Sequence, residues 1–348
     1  MAHAIILMNL GTPVEPTPAA VRRFLREFLS DPRVVEIPRP VWQVILNLFV
    51  LPLRPARIAP AYQEIWDHGL DGEAVTGSPI TYYTLRQVAL LQQRFDALAE
   101  GEASGSSGSE NNPREVIVTH AMTYGAPKLA DTIARLQAEG ADRFTILPLY
   151  PQYSATTTGA IYDQVADVIR TSRNVPDITV VHDYWEHPLY IEALANSVRE
   201  HWEEHGPAEK LLMSFHGIPK ANIRKGDPYY RHCCGTAERL AAALALPRDK
   251  WEITFQSRFG KAEWLQPYTD KTLAEWGRAG VASVDVICPA FSADCLETLE
   301  EIAVENRANF IDAGGSEYRY IPALNAREDH LIAIEAIVRE RMPEGFSG

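Results

Sequence analysis

His216 ends an apolar run, Leu211-Leu212-Met213-Ser214-Phe215-His216-Gly217-Ile218-Pro219, and further along the chain Asp294, Glu297, Glu300, Glu301 and Glu305 form a carboxylate-rich stretch. A buried strand that delivers an imidazole to a loop, answered by acids on a helix face, suits proton transfer or metal handling. Read as an α-helix, this stretch puts Asp294, Glu297 and Glu301 on one face at i, i+3 and i+7. Like charges so placed repel unless a cation, a proton or hydration relieves them. The bland alternative is a solvated helix face with Asp294 as its N-cap.

The elements that must position these groups follow a recurring pattern. Short aliphatic runs at Ala4–Met8, Glu115–Thr119, Phe144–Leu149, Ile178–Val181, Leu211–Phe215, Glu252–Phe255, Val284–Cys288 and Tyr318–Ile321 read as strands. Stretches with helical spacing of apolar residues separate them, such as Ala19–Phe28, Leu129–Ala138, Gly159–Arg170, Tyr190–Glu203 and Leu296–Ala308. Continuous apolar strands alternating with helices predict parallel sheets covered on both faces. Four strands lie in each half. The expected fold is α/β, with two similar Rossmann-like, doubly wound domains, each a four-stranded parallel sheet flanked by helices, around a cleft.

Residues 1–160 form the expected first domain, 161–325 the second with His216 and the acidic helix, and 326–342 a helix packing back on the first. In such sheets ligands bind beyond the carboxyl ends of strands. Here those ends carry His120, Tyr124, Tyr150, Tyr153, Ser154, His182, Tyr184, Trp185, His216, Gln256 and Phe291. A rim of aromatic, hydroxyl and imidazole groups suits a flat, mostly apolar ligand with a few polar anchors.

Two segments stand apart. Val41–Leu53 is strongly apolar but, at about a dozen residues, shorter than the roughly 20 a membrane-spanning helix needs. Pro38, Pro40, Pro52 and Pro55 bracket it, which predicts a short helix with bent ends, either core or an exposed lip within 38–58. Glu100–Pro113 is Gly/Ser-rich and reads as a polar surface loop.

Composition narrows the function classes. At 348 residues the chain exceeds the usual size of one core. Its net charge of -13 disfavours nucleic acid as a partner. There is no GxGxxG after the first strand and no Walker loop, so nucleotide binding has little support. Cys233, Cys234, Cys288 and Cys295 lack zinc spacing and read as reduced thiols. With no basic n-region before Gly11-Thr12-Pro13, the expected location is cytoplasmic.

Taken in order, Leu10-Gly11-Thr12-Pro13, Gly77-Ser78-Pro79-Ile80, Tyr150-Pro151-Gln152-Tyr153-Ser154, Phe215-His216-Gly217-Ile218-Pro219, Gly226-Asp227-Pro228-Tyr229, Gln256-Ser257-Arg258-Phe259-Gly260 and Cys288-Pro289-Ala290-Phe291-Ser292-Ala293-Asp294-Cys295-Leu296-Glu297 together resemble ferrochelatase nearly end to end. The resemblance implies insertion of Fe²⁺ into protoporphyrin IX with release of two protons, the final step of haem biosynthesis. It implies His216 and Glu297 as catalytic groups, and His216, Glu297 and Glu301 as groups that meet the metal. Leu10, Arg54, Tyr62, Ser78, Tyr150, Ser154 and Trp185 would contact the porphyrin, and 38–58 would be its lip.

The chemistry fits these residue types. Porphyrin lone pairs point into the ring, so the macrocycle must be bent for a metal to approach. An imidazole, with an ordinary pKa of about 6.5, can accept a pyrrole proton near neutral pH. Carboxylate and imidazole bind Fe²⁺ without the grip of thiolate. Whether Glu297 delivers metal or relays protons stays open at this level.

Departures from the family pattern carry their own expectations. Some relatives hold an iron–sulfur cluster through a cysteine in the Tyr-Pro-Gln-Tyr-Ser motif and three near the carboxyl end. Here that internal position is Ala155 and no cysteine follows Cys295, so no cluster is expected and Fe²⁺ is substrate only. Thr123 stands where the family has Arg, and Asn9-Leu10 lacks the Tyr of coproporphyrin users, favouring protoporphyrin. A monomer with at most loose peripheral membrane contact is expected. Two other readings remain: a cobalt chelatase acting on a sirohydrochlorin-like ring, and a haem carrier without turnover.

Overall fold

The computed structural model describes residues 2–67, 75–105 and 116–342. Eight strands form where the aliphatic runs predict them: β1 (Ala2–Asn9), β2 (Val116–Met122), β3 (Ala141–Pro148), β4 (Asp177–Val180), β5 (Lys210–His216), β6 (Trp251–Gln256), β7 (Ser283–Ile287) and β8 (Glu317–Ile321). They build two four-stranded sheets, ordered β2-β1-β3-β4 and β6-β5-β7-β8, with every strand pair parallel. The two orders are the same topology used twice. In each, the chain steps to one side of the first strand and then crosses to the other, so the switch point opens beside β1 and beside β5.

Helices cover both faces. The first half carries α1 (Pro18–Ser30), α2 (Arg39–Ile45), α3 (Leu51–Ile65), α4 (Pro79–Gly105), α5 (Leu129–Ala138) and α6 (Thr158–Thr171). The second carries α7 (Pro188–His205), α8 (Lys220–Arg224), α9 (Tyr229–Ala243), α10 (Thr269–Arg278), α11 (Arg307–Asp312) and α12 (Glu328–Arg339). Local sequence explains the helix ends: Thr17 Oγ1 accepts from Ala20 N (3.3 Å) ahead of Pro18, and Pro188 opens α7 while Gly206, at φ 72°, closes it.

The structure corrects several expectations. Because β4 completes the first sheet, the crossover through 161–176 belongs to the first half, beyond the boundary expected at 160. α12 packs on α7 but also reaches α4, where Arg94 Nε meets Glu335 at 2.7 Å, so the terminal helix ties both halves together. α4 was not foreseen and runs through Glu100–Gly105, part of the expected polar loop; 106–113 lie outside the described residues. Its buried stripe of Ile80, Tyr83, Leu91 and Phe95 is completed by buried Thr84 and Gln87, which hides the apolar period.

The apolar segment is also longer than expected. α2, a π-helical stretch at Leu46–Val50 and α3 form one run, Arg39–Ile65, of 27 residues, long and apolar enough to cross a membrane by length and composition alone. Its inner face packs Trp42, Leu46, Leu51, Ala59, Tyr62 and Ile65 beneath Val21, Phe24 and Leu25 of α1. Its outer face leaves Val41, Val44, Leu48, Phe49 and Leu53 exposed. Proline does not break the run because the freed carbonyl finds another donor: Pro55 cannot bond Leu51 O, and Arg22 Nη1 reaches it at 3.4 Å.

Candidate active site

β5 ends at His216, beside the second switch point. The imidazole is half-buried, and its Nδ1 lies 2.7 Å from Gly217 O. A carbonyl only accepts, so Nδ1 carries the hydrogen and Nε2 keeps the free lone pair. Gly217 turns the chain where nothing larger fits: a Cβ there would stand 2.8 Å from Gln256 O and 3.2 Å from the Trp264 ring.

The acids opposite come from the loop after β7. The helix they open is not an α-helix: Glu297–Asn306 is π-helical. With i→i+5 bonding a turn holds more than four residues, so Glu297, Glu301 and Glu305 fall near one face, running from half-buried Glu297 and Glu301 to exposed Glu305. Asp294 leaves that row, which corrects the α-helical spacing. It is fully buried and accepts from Thr298 Oγ1 (2.8 Å), Tyr320 Oη (2.7 Å) and Asn325 Nδ2 (2.6 Å), fastening the start of the helix to the end of β8.

Glu301 is held from the second sheet. Ser257 N donates to its Oε1 at 2.7 Å, Ser257 Oγ donates to its Oε2, and Gln256 Nε2 reaches Oε2 at 3.3 Å. Ser257 adopts φ 63°, a left-handed conformation uncommon for a side-chain-bearing residue, and this turns both donors onto one carboxylate. Burial pushes the Glu301 carboxyl up, opposed by the Ser257 bonds and by the nearby His216 charge. Glu300 is also raised, by burial and then by Glu305, Glu301, Glu64 and Glu297.

The first half closes over Glu297. Burial lowers the Arg54 guanidinium and raises the Tyr62 hydroxyl, and both feel the Glu297 charge. The Arg54 guanidinium lies 4.4 Å from the ring centre of Phe259, in the loop after β6, so the lip reaches across to the second half. Tyr150 Oη is sealed from solvent and raised by burial, in the field of Cys295 and Glu297. Leu10 packs near Tyr82, Phe291 and Cys295, and Thr12 Oγ1 donates to Ser78 Oγ at 3.0 Å in the same corner.

His216, Glu297, Glu301, Arg54, Tyr62, Tyr150 and Leu10 therefore gather in one region. Two further expected contacts, Ser154 and Trp185, have partners around α9. Ser154 is buried and donates to Asp227 Oδ2 (2.9 Å), a tie between the loop after β3 and the turn that precedes α9. Trp185 lies against α9, stacked on His232 (centroids 5.1 Å apart) with Arg239 at 4.7 Å and no room for a Cβ on Gly235. Among the described residues no three His, Cys, Asp or Glu side chains close into a metal cage. Sequence reasoning named Gln256 only as part of the rim and gave no role to Ser257 or Asn325, although all three help to hold the acids in place; the end of β6 at Gln256 was the one available signal.

Comparison with known proteins agrees with this arrangement. The family model described as Ferrochelatase matches residues 2–342. Proteins named Ferrochelatase from Psychrobacter cryohalolentis and Aromatoleum aromaticum are 54% and 51% identical, covering 96% and 97% of this chain and 93% and 87% of theirs. Among solved structures, SirB from Bacillus subtilis with Fe3+ superposes with a TM-score of 0.51 at 12% identity, covering 98% of this chain and 96% of that one. DR2241 from Deinococcus radiodurans, described as similar to chelatases, gives 0.53 at 13% identity over 100% of this chain and 56% of that one. Those two likenesses concern the fold. On the match of family model and relatives along almost the whole length, this chain belongs to the ferrochelatase family.

Proposed function

We propose that this chain inserts Fe²⁺ into protoporphyrin IX to form protohaem, with His216 accepting a pyrrole proton and Glu297 and Glu301 handling the metal and the second proton. The observation that supports this assignment of roles is that His216, whose Nδ1 is engaged by Gly217 O, lies within electrostatic reach of Glu301, in a row of acids that runs out to exposed Glu305. The balance is simple: two N–H bonds break, two protons leave, and the dianionic ring binds Fe²⁺. The acids offer oxygen donors while the ion sheds water. Leu10, Tyr62 and Tyr150 supply apolar walls and Arg54 a cation for a carboxylate of the substrate.

Further parts of the reading rest on placement. Cys233 and Cys234 adjoin on α9 while Cys288 and Cys295 flank the loop after β7, a distribution that supports function without an iron–sulfur cluster. The exposed face of Val41, Val44, Leu48, Phe49 and Leu53 supports loose peripheral contact of a monomer with a membrane, within a cytoplasmic location. The test is anaerobic incubation with protoporphyrin and Fe²⁺ or Zn²⁺, following collapse of the porphyrin Q-bands. Turnover beyond one equivalent is expected, lost in His216→Ala with porphyrin binding kept. Near-normal rates in that variant overturn the base assignment, and reaction only with Co²⁺ and a polycarboxylate ring overturns the substrate.

A further inference from the structure

Gln256 belongs to no group named so far as reacting, yet it touches both sides of the site. Its backbone pairs with His216 across β5 and β6, and its carbonyl accepts from Gly217 N at 2.8 Å, so it sets the height at which the imidazole leaves the sheet. The residue is 3% exposed. Its Nε2 donates to Glu297 O at 2.9 Å and to Glu301 Oε2 at 3.3 Å. Its Oε1 accepts from Ser214 Oγ at 2.8 Å and from Cys288 Sγ at 3.7 Å. Every hydrogen-bonding position of the amide is used, so the group has one orientation: acceptor towards the sheet, donor towards the acids.

We infer that Gln256 is a positioning residue for metal insertion, fixing the Glu301 carboxylate and the first turn of the π-helix at a set offset from the His216 imidazole. A free carboxylate on a helix whose bonding is already irregular has many rotamers. The Gln256 amide, backed by Ser214 and Cys288 and continued by Ser257, leaves one. Glutamate at this position could not supply the two donors, and it would set an acceptor against Glu301. Asparagine keeps the amide but falls one methylene short.

This inference rests on the metal-inserting reading above, and the assay separates the two. Zn²⁺ and Fe²⁺ insertion are measured with Gln256→Leu, Gln256→Glu and Gln256→Asn. Thr145→Val is the matched control: it removes a buried hydroxyl in β3 of the first sheet that lies 2.8 Å from His3 Nε2, outside the Ser214–Gln256 network. Expected is a loss of about 10–100-fold in kcat for the Leu and Glu variants, the range for removing an outer partner of a metal-handling group. KM for the porphyrin stays within about two-fold, because Gln256 lies beneath the acids rather than on the apolar walls. Gln256→Asn recovers part of kcat, and Thr145→Val keeps it. Gln256→Glu, closest in shape, decides the matter where Gln256→Leu does not fold. Near-normal kcat in a folded Gln256→Glu or Gln256→Leu protein, or an equal kcat loss in Thr145→Val, overturns the inference alone. Absence of turnover in the unmodified chain overturns the reading beneath it as well.

Discussion

Gly217→Ala tests the geometry of the site without touching a reacting group. The added Cβ would sit 2.8 Å from Gln256 O and 3.2 Å from the Trp264 ring, against an ordinary contact of 3.4 Å or more. The neighbouring carbonyl is part of a β-ladder and cannot rotate away, so the turn that carries His216 must lift by roughly 0.5 Å to reach a comfortable separation. Overpacking of this kind costs about 1–3 kcal/mol of stability, which a two-domain protein with a large core tolerates. Misplacement of a catalytic group by about 1 Å can cost about 100-fold in rate, so half that displacement predicts a fall in kcat of about 10-fold. The assay is the initial rate of Zn²⁺ insertion into protoporphyrin by fluorescence, with porphyrin affinity from quenching of the protein's own emission. Affinity is expected to stay within about two-fold, since the apolar walls come from other elements. A variant that folds and keeps kcat within two-fold of the parent would falsify the claim that this turn sets the height of the imidazole.

Other expectations follow from groups outside the site. His330 is fully buried, its Nδ1 donates to Asn325 O at 2.9 Å, and burial lowers its pKa to about 4. The folded value lies below the unfolded value near 6.5, so the unfolded chain binds the extra proton between them. Stability from this group is whole above about pH 6.5 and falls by about 2–3 kcal/mol as pH drops to 4.5. Urea unfolding of His330→Asn, which keeps a donor near Nδ1, should show that much less loss between pH 7 and 4.5; an unchanged slope refutes the assignment. On the outer face of the lip, Leu48→Asp with Phe49→Asp places two charges where the parent exposes apolar side chains. Sedimentation with lipid vesicles should drop several-fold while soluble-porphyrin turnover in detergent is kept, and equal sedimentation sinks the membrane-contact reading.

Much of this molecule could be read from residue order. The central strands β1 and β5 were the most legible because each is a largely apolar run buried on both faces, as parallel sheets between helices require, while the edge strands β4 and β8 are shorter and less buried. His216 was legible because an imidazole at the end of such a run must emerge at the ligand-binding edge. α4 was not, since its buried stripe includes Thr84 and Gln87, whose amide reaches Ser292 O and Asn325 O across the two halves. The acid row was misphased for a related reason. No local pattern of side chains announces i→i+5 bonding, and an α-helical period placed Asp294 among groups from which the real backbone withdraws it.

Residue types and their order determined that this is a pair of doubly wound halves with an imidazole and acids at the facing edges, because burial of continuous apolar strands depends on local composition alone. Which acids meet that imidazole, how the lip crosses to Phe259, and that Gln256 and Ser257 aim the Glu301 carboxylate were decided only by the tertiary fold. The reason is that those contacts join residues far apart in the chain, and their geometry is set by sheet register, a π-helical turn and one left-handed serine, none of which has a one-dimensional signature.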